Sequence, residues 1–346
     1  MSWFNGTGNT PSRIIWSRVR YFRNLSSAFY KSKNRDTIEN ARNKLSKIMQ
    51  SSGFRKEDIP MGAPIKLRSL AEKQFIPYSL EAAPICDVYF NEPCSLTISF
   101  GDRDLFNICS ILSGRALTDA LNIASQAEEL LDGDFEFAYS DKLGYLSPDP
   151  RMCGSGAEFS ALLFLPSIRQ GNNDEIIFIA DSFGASLMPL FSDRENGGDL
   201  YILSYIQPHG SDEKNEIVQF EALCDRICEK ELENERIIFS HSSIITVERA
   251  YRALGCLRYA RLLCEEELLR YLSDVRLSIL LFPEESSELD INVSALDRLL
   301  GECLTYSTLD RTGTKCQDSE ECDRLRANSA REFLCDCAAT LPKAST

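Results

Sequence analysis

The segment from Gly144 to Pro166 constrains the fold of this chain more than any other, because it places glycines directly before an apolar run. The apolar run predicts a buried strand over residues 160–165. The preceding Gly154-Ser155-Gly156 predicts the turn that leads into this strand. A glycine-rich turn can present backbone N–H groups to phosphate. No Lys-Ser/Thr pair follows this turn, so it is not a P-loop, and a plain turn is the simpler interpretation.

Helix-like and strand-like segments alternate over the first two thirds of the chain. The helical spacing of apolar residues predicts helices over 36–50 and 116–131. Alternating apolar and polar residues predict a strand over 95–100. The remaining strand candidates are 135–139, 175–180 and 200–206. This mixture predicts an α+β fold in which helices flank an antiparallel sheet.

The last third of the chain has a different pattern. The polar run 208–215 predicts a loop or hinge, so we expect one domain over 1–215 and a second over 216–346. Helical periodicity dominates the second domain, and the polar stretch 305–320 predicts a loop within it. The helices predicted there span 247–264, 265–281 and 294–303.

Charge and cysteine content exclude several classes of protein. The net charge of −14 argues against a nucleic-acid-binding surface. No apolar run is long enough for a membrane span, and the first residues lack a leader pattern, so we expect a cytoplasmic protein. The thirteen cysteines are odd in number and lie in a long chain, which predicts free thiols. Only His209 and His241 could join them as metal ligands, so we expect no metal site.

Several collinear blocks of sequence resemble one family of enzymes. They are 14–24, 95–108, 144–166, 187–216, 247–255, 272–278 and 321–327. Within 144–166 the chain reads Gly-Tyr-Leu-Ser, a Gly-Ser-Gly turn, and an apolar strand that ends in Leu-Pro. These blocks are similar to the phosphagen (guanidino) kinases, and most of all to the bacterial protein-arginine kinases. The resemblance implies the guanidino-kinase catalytic fold followed by a helical domain.

Two arginines of the family's nucleotide site are retained. Arg18 and Arg20 match family arginines that bind the phosphates of ATP. They lie two residues apart, so on a strand both guanidinium groups point to one face and can bind phosphate oxygens. A basic face that pairs with the chain's surplus carboxylates is the alternative interpretation.

The resemblance also implies that the catalytic site is dismantled. Arg103 stands at the catalytic glutamate, Asp149 at the thiolate, and Ser192 at the second guanidinium-binding glutamate. Three phosphate-binding arginines of the family are replaced, by Asn107, Glu158 and Leu187. The exchange at Glu158 weakens the binding of ATP most, because it places a negative charge beside the negative phosphate. A like charge near 4 Å at an effective dielectric of about 20 opposes binding by about 4 kcal/mol.

The segment 321–327 resembles the phosphoarginine-binding motif of the protein-arginine kinases. Asp323 and Arg326 remain at helical i,i+3 spacing, where we expect the carboxylate to bind the ligand's guanidinium group and the arginine to bind its phosphate. Cys322 replaces the first arginine of the motif.

Three hypotheses for function follow. The first is an inactive family member with a regulatory or scaffolding role in bacterial protein quality control, without a cofactor. The resemblance implies a Clp-type chaperone or protease, a zinc-binding activator, or a second copy of the chain as its partner. The second is an active ATP-Mg-dependent kinase in which Asp102, Asp104 or Asp149 serves as the base, with Asp102 and Asp104 on one face of a strand. The third is an unrelated α+β interaction protein.

Overall fold

An eight-stranded antiparallel sheet forms the centre of the computed structural model. The structure describes residues 2–5, 12–29, 35–59, 64–83, 86–171, 174–191, 197–239, 243–316 and 318–340. The strands of the whole fold are β1 (Ile14–Arg23), β2 (Arg55–Lys56), β3 (Asp87–Phe90), β4 (Leu96–Phe100), β5 (Phe106–Ser113), β6 (Tyr139–Ser140), β7 (Gly144–Tyr145), β8 (Ala157–Phe164), β9 (Ser186–Pro189) and β10 (Leu200–Ile206). The strand order in the large sheet is β2-β3-β4-β5-β1-β8-β10-β9, and β6 pairs with β7 separately.

Helices cover both faces of this sheet. They are α1 (Ser26–Phe29), α2 (Arg35–Ser51), α3 (Pro64–Glu72), α4 (Leu117–Asp132), α5 (Pro166–Arg169), α6 (Asp174–Phe183), α7 (Glu213–Phe239), α8 (Ser243–Tyr259), α9 (Glu265–Leu281), α10 (Val293–Glu302), α11 (Thr305–Thr312) and α12 (Ser319–Thr340). The predicted α+β class, with a mainly helical region after the sheet, is confirmed.

The two faces of the sheet bury different parts of the chain. Val19 and Tyr21 of β1 point into a core shared with α2, α4, α6 and α7. Trp16 of the same strand points into a second core shared with α8, α9 and α10. The period of two along β1 therefore assigns Arg18 and Arg20 to the face of Trp16.

The helical region begins earlier than the sequence suggested. The polar run forms a loop, but α7 begins at Glu213, so residue 215 lies inside this helix. Ile217, Phe220 and Leu223 of α7 are buried in the core on the Val19 face of the sheet.

Three segments differ from their predicted structure. Residues 175–180 form part of helix α6 and not a strand: Ile176, Ile179 and Ala180 are buried at helical spacing, whereas Phe178 is 70% exposed. Only the end of 135–139 is a strand, in β6. The predicted loop 305–320 contains α11, which ends at Gly313 in a left-handed conformation.

The described cysteines are all free thiols, and no group of three metal-ligating side chains occurs among the residues that the structure describes. Within the same residues, none of the helices combines the length and apolar character that a membrane crossing requires.

Candidate functional site

Arg18 and Arg20 lie at the centre of the sheet, on a strand flanked by β5 and β8. Both side chains are buried, with residue exposures of 3% and 7%. The Arg18 Nε–H donates to Ser160 Oγ at 3.0 Å. Burial, and then the charge of Arg20, lowers the pKa of Arg18 to about 10. Two guanidinium groups buried on one face of the same strand require a negative partner.

Glu158 supplies that negative charge. It lies on β8 directly opposite Arg20 and therefore on the same face of the sheet. Its carboxylate oxygens lie 3.9 Å from Arg18 Nη2 and 3.7 Å from Arg20 Nη1. The residue that the family resemblance assigns to the place of a phosphate-binding arginine thus lies within ion-pair distance of both Arg18 and Arg20. A carboxylate occupies the place where the sequence predicted an anionic phosphate.

Gln74 contacts the same two guanidinium groups from outside the sheet. Its Oε1 accepts from Arg18 Nη1 at 2.9 Å, and its backbone carbonyl accepts from Arg20 Nη2 at 3.4 Å. The residue has a left-handed backbone with φ of 63°. Gln74 was not among the predicted site residues, because no local pattern distinguishes it and its partner Arg18 is 56 residues away.

The segment that carries Gln74 is anchored to the helical region. The Glu72 carboxylate accepts from the backbone N–H groups of Tyr306 and Ser307, at 3.1 and 2.8 Å. These two residues lie in the first turn of α11, where backbone N–H groups have no partner within the helix. The cover over the arginine pair is therefore fixed by contacts to α11.

A row of neutral polar groups continues from the arginines across β5 and β4. Asn107 lies opposite Phe22 and Ser99, on the arginine face, and is 2% exposed. Both atoms of its side-chain amide lack a hydrogen-bond partner among the described residues, as do Thr97 Oγ1 and Ser99 Oγ. These groups can form hydrogen bonds, but they cannot replace the charge of an arginine.

Two further predicted positions lie outside this group. Leu187 pairs with Leu203, and the register across β8 relates both to Ser17, so Leu187 lies on the opposite face from Arg18. Its side chain packs against the core on the Val19 face. The structure therefore does not bring Leu187 together with the arginine pair. Ser192 lies outside the described residues.

The candidate substitute bases do not lie on a strand. Asp102, Arg103 and Asp104 belong to the loop between β4 and β5, so the expectation that the two aspartates share one strand face is wrong. Asp102 accepts from Ser79 Oγ and from the Arg103 N–H. Asp104 accepts from Asn24 Nδ2 at 2.6 Å and from Ser147 Oγ at 3.1 Å. Burial raises the pKa of Asp104, and the charges of Asp102 and Asp149 act in the same direction.

The pKa of Asp149 is shifted in the opposite direction from that of Asp104. The Asp149 carboxylate is partly exposed and accepts from the Arg151 side chain at 3.1 and 2.7 Å. These hydrogen bonds, together with one from the Arg151 backbone N–H, lower the pKa of Asp149 to about 2. A carboxylate this acidic is a poor proton acceptor, so Asp104 is the better candidate for a base.

The glycine turn before β8 is held by packing. A Cβ atom on Gly156 would lie 2.5 Å from Arg23 Nη1 and 2.9 Å from the Phe22 carbonyl oxygen. Gly156 also has a positive φ of 61°. The Gly154 N–H donates to the Tyr145 carbonyl. The turn is close to β1 because it lacks side chains there, and this accounts for Gly156 without a ligand.

The predicted phosphoarginine pair is arranged differently from the expectation. Asp323 and Arg326 do contact each other on α12, with Oδ1 and Nη1 2.7 Å apart. The Arg326 guanidinium group is buried, however, and donates to three other partners. They are the Cys303 carbonyl, the Leu263 carbonyl and Thr305 Oγ1, at 3.1, 2.8 and 2.6 Å. Arg326 therefore joins α12 to the starts of α9 and α11, and its donors are not free to bind a phosphate.

Comparison with known families agrees with the fold and with the helical region. A family model described as ATP:guanido phosphotransferase, C-terminal catalytic domain, matches residues 37–234, which is more than half of the chain. A second model, described as the protein-arginine kinase McsB C-terminal domain, matches residues 245–344. The resemblance predicted from the sequence is thereby confirmed.

Curated proteins give the same result at low identity. The chain is 26% identical over 287 residues to a protein-arginine kinase of Halothermothrix orenii, covering 80% of this chain and 81% of that protein. It is 25% identical over 289 residues to a protein-arginine kinase of Bacillus mycoides, with the same shares covered.

Solved structures share the fold. One is the duplicated taurocyamine kinase of Schistosoma mansoni with bound transition-state-analogue components, at a TM-score of 0.57 and 16% identity over 70% of this chain. The chain spans 36% of the length of that duplicated enzyme. Another is lombricine kinase, at a TM-score of 0.51 and 15% identity, covering 66% of this chain and 69% of that one.

Proposed function

Because this chain belongs to the ATP:guanido phosphotransferase family, we propose that it is a protein-arginine-kinase-like member whose catalytic site is disabled. The observation that carries this proposal is the position of Glu158, whose carboxylate pairs with both retained arginines, Arg18 and Arg20. Phosphoryl transfer depends on cations around the transferring group. Here one carboxylate of the protein already offsets part of the positive charge of these two cations.

Electrostatics opposes the entry of a nucleotide into this site. A phosphate that reached the guanidinium groups would lie beside the Glu158 carboxylate, and such a like-charge contact costs about 4 kcal/mol at an effective dielectric of about 20. The phosphate would also have to displace Gln74, which accepts hydrogen bonds from both arginines. Both effects favour a site that stays closed to ATP.

The acid–base groups support the same conclusion. Arg103 cannot accept a proton, and the pKa of Asp149 is about 2. One observation favours the alternative, an active ATP-Mg-dependent kinase: burial raises the pKa of Asp104, as suits a general base. The Asp104 oxygens, however, already accept from Asn24 and Ser147, which tie this carboxylate to the fold.

Without catalysis, the remaining role is to bind other proteins. We propose a regulatory or scaffolding function in cytoplasmic protein quality control, with a Clp-type chaperone or protease or a zinc-binding activator as partner, and a homodimer as the assembled form. Family membership is the support for these partners. The net charge of −14 supports a protein partner over a nucleic acid. The test is whether this chain changes the rate at which a Clp-type protease degrades a model substrate.

Catalytic activity can be tested directly. Incubation with labelled ATP, magnesium and an arginine-rich protein should transfer no phosphate above background, and calorimetric titration with ATP-Mg should give no binding heat. The matched variants are Asp104→Asn and, as a control, Asp141→Asn, whose side chain is exposed. Transfer that is lost in Asp104→Asn and kept in Asp141→Asn would establish the active alternative.

A further inference from the structure

A strap of three residues, 72–74, at the end of α3 joins the arginine pair to the helical region. Gln74 accepts hydrogen bonds from Arg18 and Arg20, at 2.9 and 3.4 Å. Glu72, two residues earlier, accepts from the backbone of the first turn of α11. The same short segment therefore contacts both the sheet and the helical region.

The backbone of the strap indicates that the Gln74 side chain matters. The Phe75 N–H donates back to the Leu70 carbonyl, and Gln74 ends the helical turn with φ of 63°. Glycine is the usual residue at such a left-handed helix end, because it has no Cβ atom to strain the backbone. A glutamine at this position costs stability, and the contact that offsets this cost is its hydrogen bond with Arg18.

The N-terminus of α11 holds the other end of the strap. Leu304, the residue before this helix, makes no side-chain hydrogen bond to it, so the first N–H groups of α11 need acceptors from elsewhere. Glu72 accepts from two of these N–H groups, and also from the Ser307 hydroxyl group at 3.0 Å. Glu265 of α9 accepts from the Thr305 N–H at 3.3 Å. Carboxylates from two other helices therefore cap α11.

The residues around the strap limit how it can move. Lys73 Nζ lies 3.2 Å from Glu302 Oε2 of α10, and the Lys73 carbonyl accepts from Trp3 Nε1 at 2.8 Å. Phe75 and Ile76, directly after the strap, are buried in the core shared with α8, α9 and α10. Because that core holds one end, release of the strap depends on its contacts with α10 and α11.

We propose that the contact between Glu72 and α11 is an autoinhibitory latch, which keeps Gln74 on the arginine pair and lets the helical region control access to it. This inference rests on the proposed function, since it concerns how the arginine pair of an inactive family member is kept closed. Movement of α11 away from α3 exposes Arg18 and Arg20 without any change in the sheet.

The test is chemical modification of the full chain with phenylglyoxal, a reagent for arginine, followed by peptide mass mapping. A buried group reacts only after local opening, so its rate of modification follows the opening equilibrium. Glu72→Ala should raise the modification rates of Arg18 and Arg20 by roughly tenfold or more, because it removes hydrogen bonds to a carboxylate. Asp310→Ala is the matched control and should leave both rates unchanged. It removes another carboxylate contact between α3 and α11, 3.1 Å from Lys66 Nζ, but near the opposite end of α11.

A second variant, Gln74→Gly, tests the end of the strap that contacts the sheet. It should raise the modification rate of Arg18 more than that of Arg20, because it removes the side-chain acceptor for Arg18 and keeps the carbonyl that contacts Arg20. Arg23 is an internal control, since it lies on the same strand and is 2% exposed. Opening of the strap leaves Arg23 protected, whereas global unfolding exposes it.

The proposal is supported if both arginines of the pair react faster in Glu72→Ala while Arg23 does not. It is overturned if Arg18 and Arg20 stay as protected in Glu72→Ala as in wild type, if Asp310→Ala exposes them equally, or if Arg23 reacts in step with them. Phenylglyoxal reports exposure and not phosphoryl transfer. Failure of the latch and failure of the proposed function are therefore distinguishable, because the kinase assay tests only the second.

Discussion

At the scale of single residues, the most consequential side chain is Glu158. It converts a pair of arginines suited to phosphate into an internal ion-pair cluster, with oxygens 3.9 and 3.7 Å from Arg18 and Arg20. A single carboxylate at this position therefore limits what the two arginines of the strand can bind. Removal of this carboxylate leaves two buried cations without a neutralising partner.

We expect Glu158→Gln to lower the free energy of unfolding by about 1–3 kcal/mol, because the buried guanidinium groups lose their counter-charge. Tripolyphosphate should then raise the Tm of the variant more than that of wild type, since it replaces the lost anion. Differential scanning fluorimetry measures both effects. Glu129→Gln, an exposed change on α4, is the control and should behave like wild type. Equal Tm values and equal responses in all three proteins would contradict a neutralising role for Glu158.

Arg326 is a second residue with a structural role, because its buried guanidinium group holds α12 to neighbouring segments. Its donors join α12 to Leu263, Cys303 and Thr305. We expect Arg326→Ala to destabilise the protein by about 3–5 kcal/mol, because it leaves buried carbonyl groups and Asp323 unpaired. Urea denaturation measures this loss. Arg324→Ala, on the same helix with a side chain 59% exposed, should cost less than about 1 kcal/mol. Equal losses in the two variants would rule out the structural role of Arg326.

At the scale of elements, the glycines that follow α11 and α4 allow the backbone conformation at the ends of these helices to be tested. Gly313 follows α11 with φ of 65°, whereas Gly133 follows α4 with φ of −65°. A Cβ atom at either position would meet nothing within 4 Å, so the two sites differ in backbone conformation and not in space. We expect Gly313→Ala to cost about 1 kcal/mol and Gly133→Ala to be neutral or stabilising. Chemical denaturation of both variants is the measurement. A neutral Gly313→Ala would contradict the left-handed end of α11.

At the scale of the whole molecule, buried carboxyl groups predict how stability depends on pH. Burial, followed by the charge of Glu265, raises the pKa of Glu72 to about 7, and burial raises that of Glu231 to about 7 and that of Asp199 to about 6. Each group is protonated in the folded protein and ionised in the unfolded chain between its two pKa values. Stability therefore falls as the pH rises through this window, by about 1.4 kcal/mol per pKa unit for a single group.

We accordingly expect the urea midpoint to be higher near pH 5 than near pH 8. The net charge of −14 at neutral pH acts in the same direction, because self-repulsion of the folded state grows as carboxyl groups ionise. Glu72→Gln should reduce the difference between the two pH values. A midpoint that rises from pH 5 to pH 8 would show that other groups dominate the titration.

The sequence by itself determined the features that depend on local period and on family likeness. The spacing of Arg18 and Arg20 placed both guanidinium groups on one face of β1, because side chains alternate along a strand. The same kind of pattern predicted α9 and β10 within their observed limits, 265–281 and 200–206. It failed at 175–180, where an apolar run fits a short strand or a helix equally well. The segment forms a helix in the structure, where Ile176, Ile179 and Ala180 are buried on one side of it.

Only the tertiary structure decided what each functional side chain contacts. Gln74 reaches Arg18 from 56 residues away, and Arg326 reaches Leu263 from 63 residues away. Contacts between such distant segments leave no local pattern, because they arise when separate elements pack together. For this reason the family resemblance could point to Glu158 as a negative charge at a position that it assigns to phosphate binding, but it could not show that the same carboxylate pairs with both arginines. It also could not show that Arg326 is buried, since helical spacing places a residue on a face without saying what covers that face.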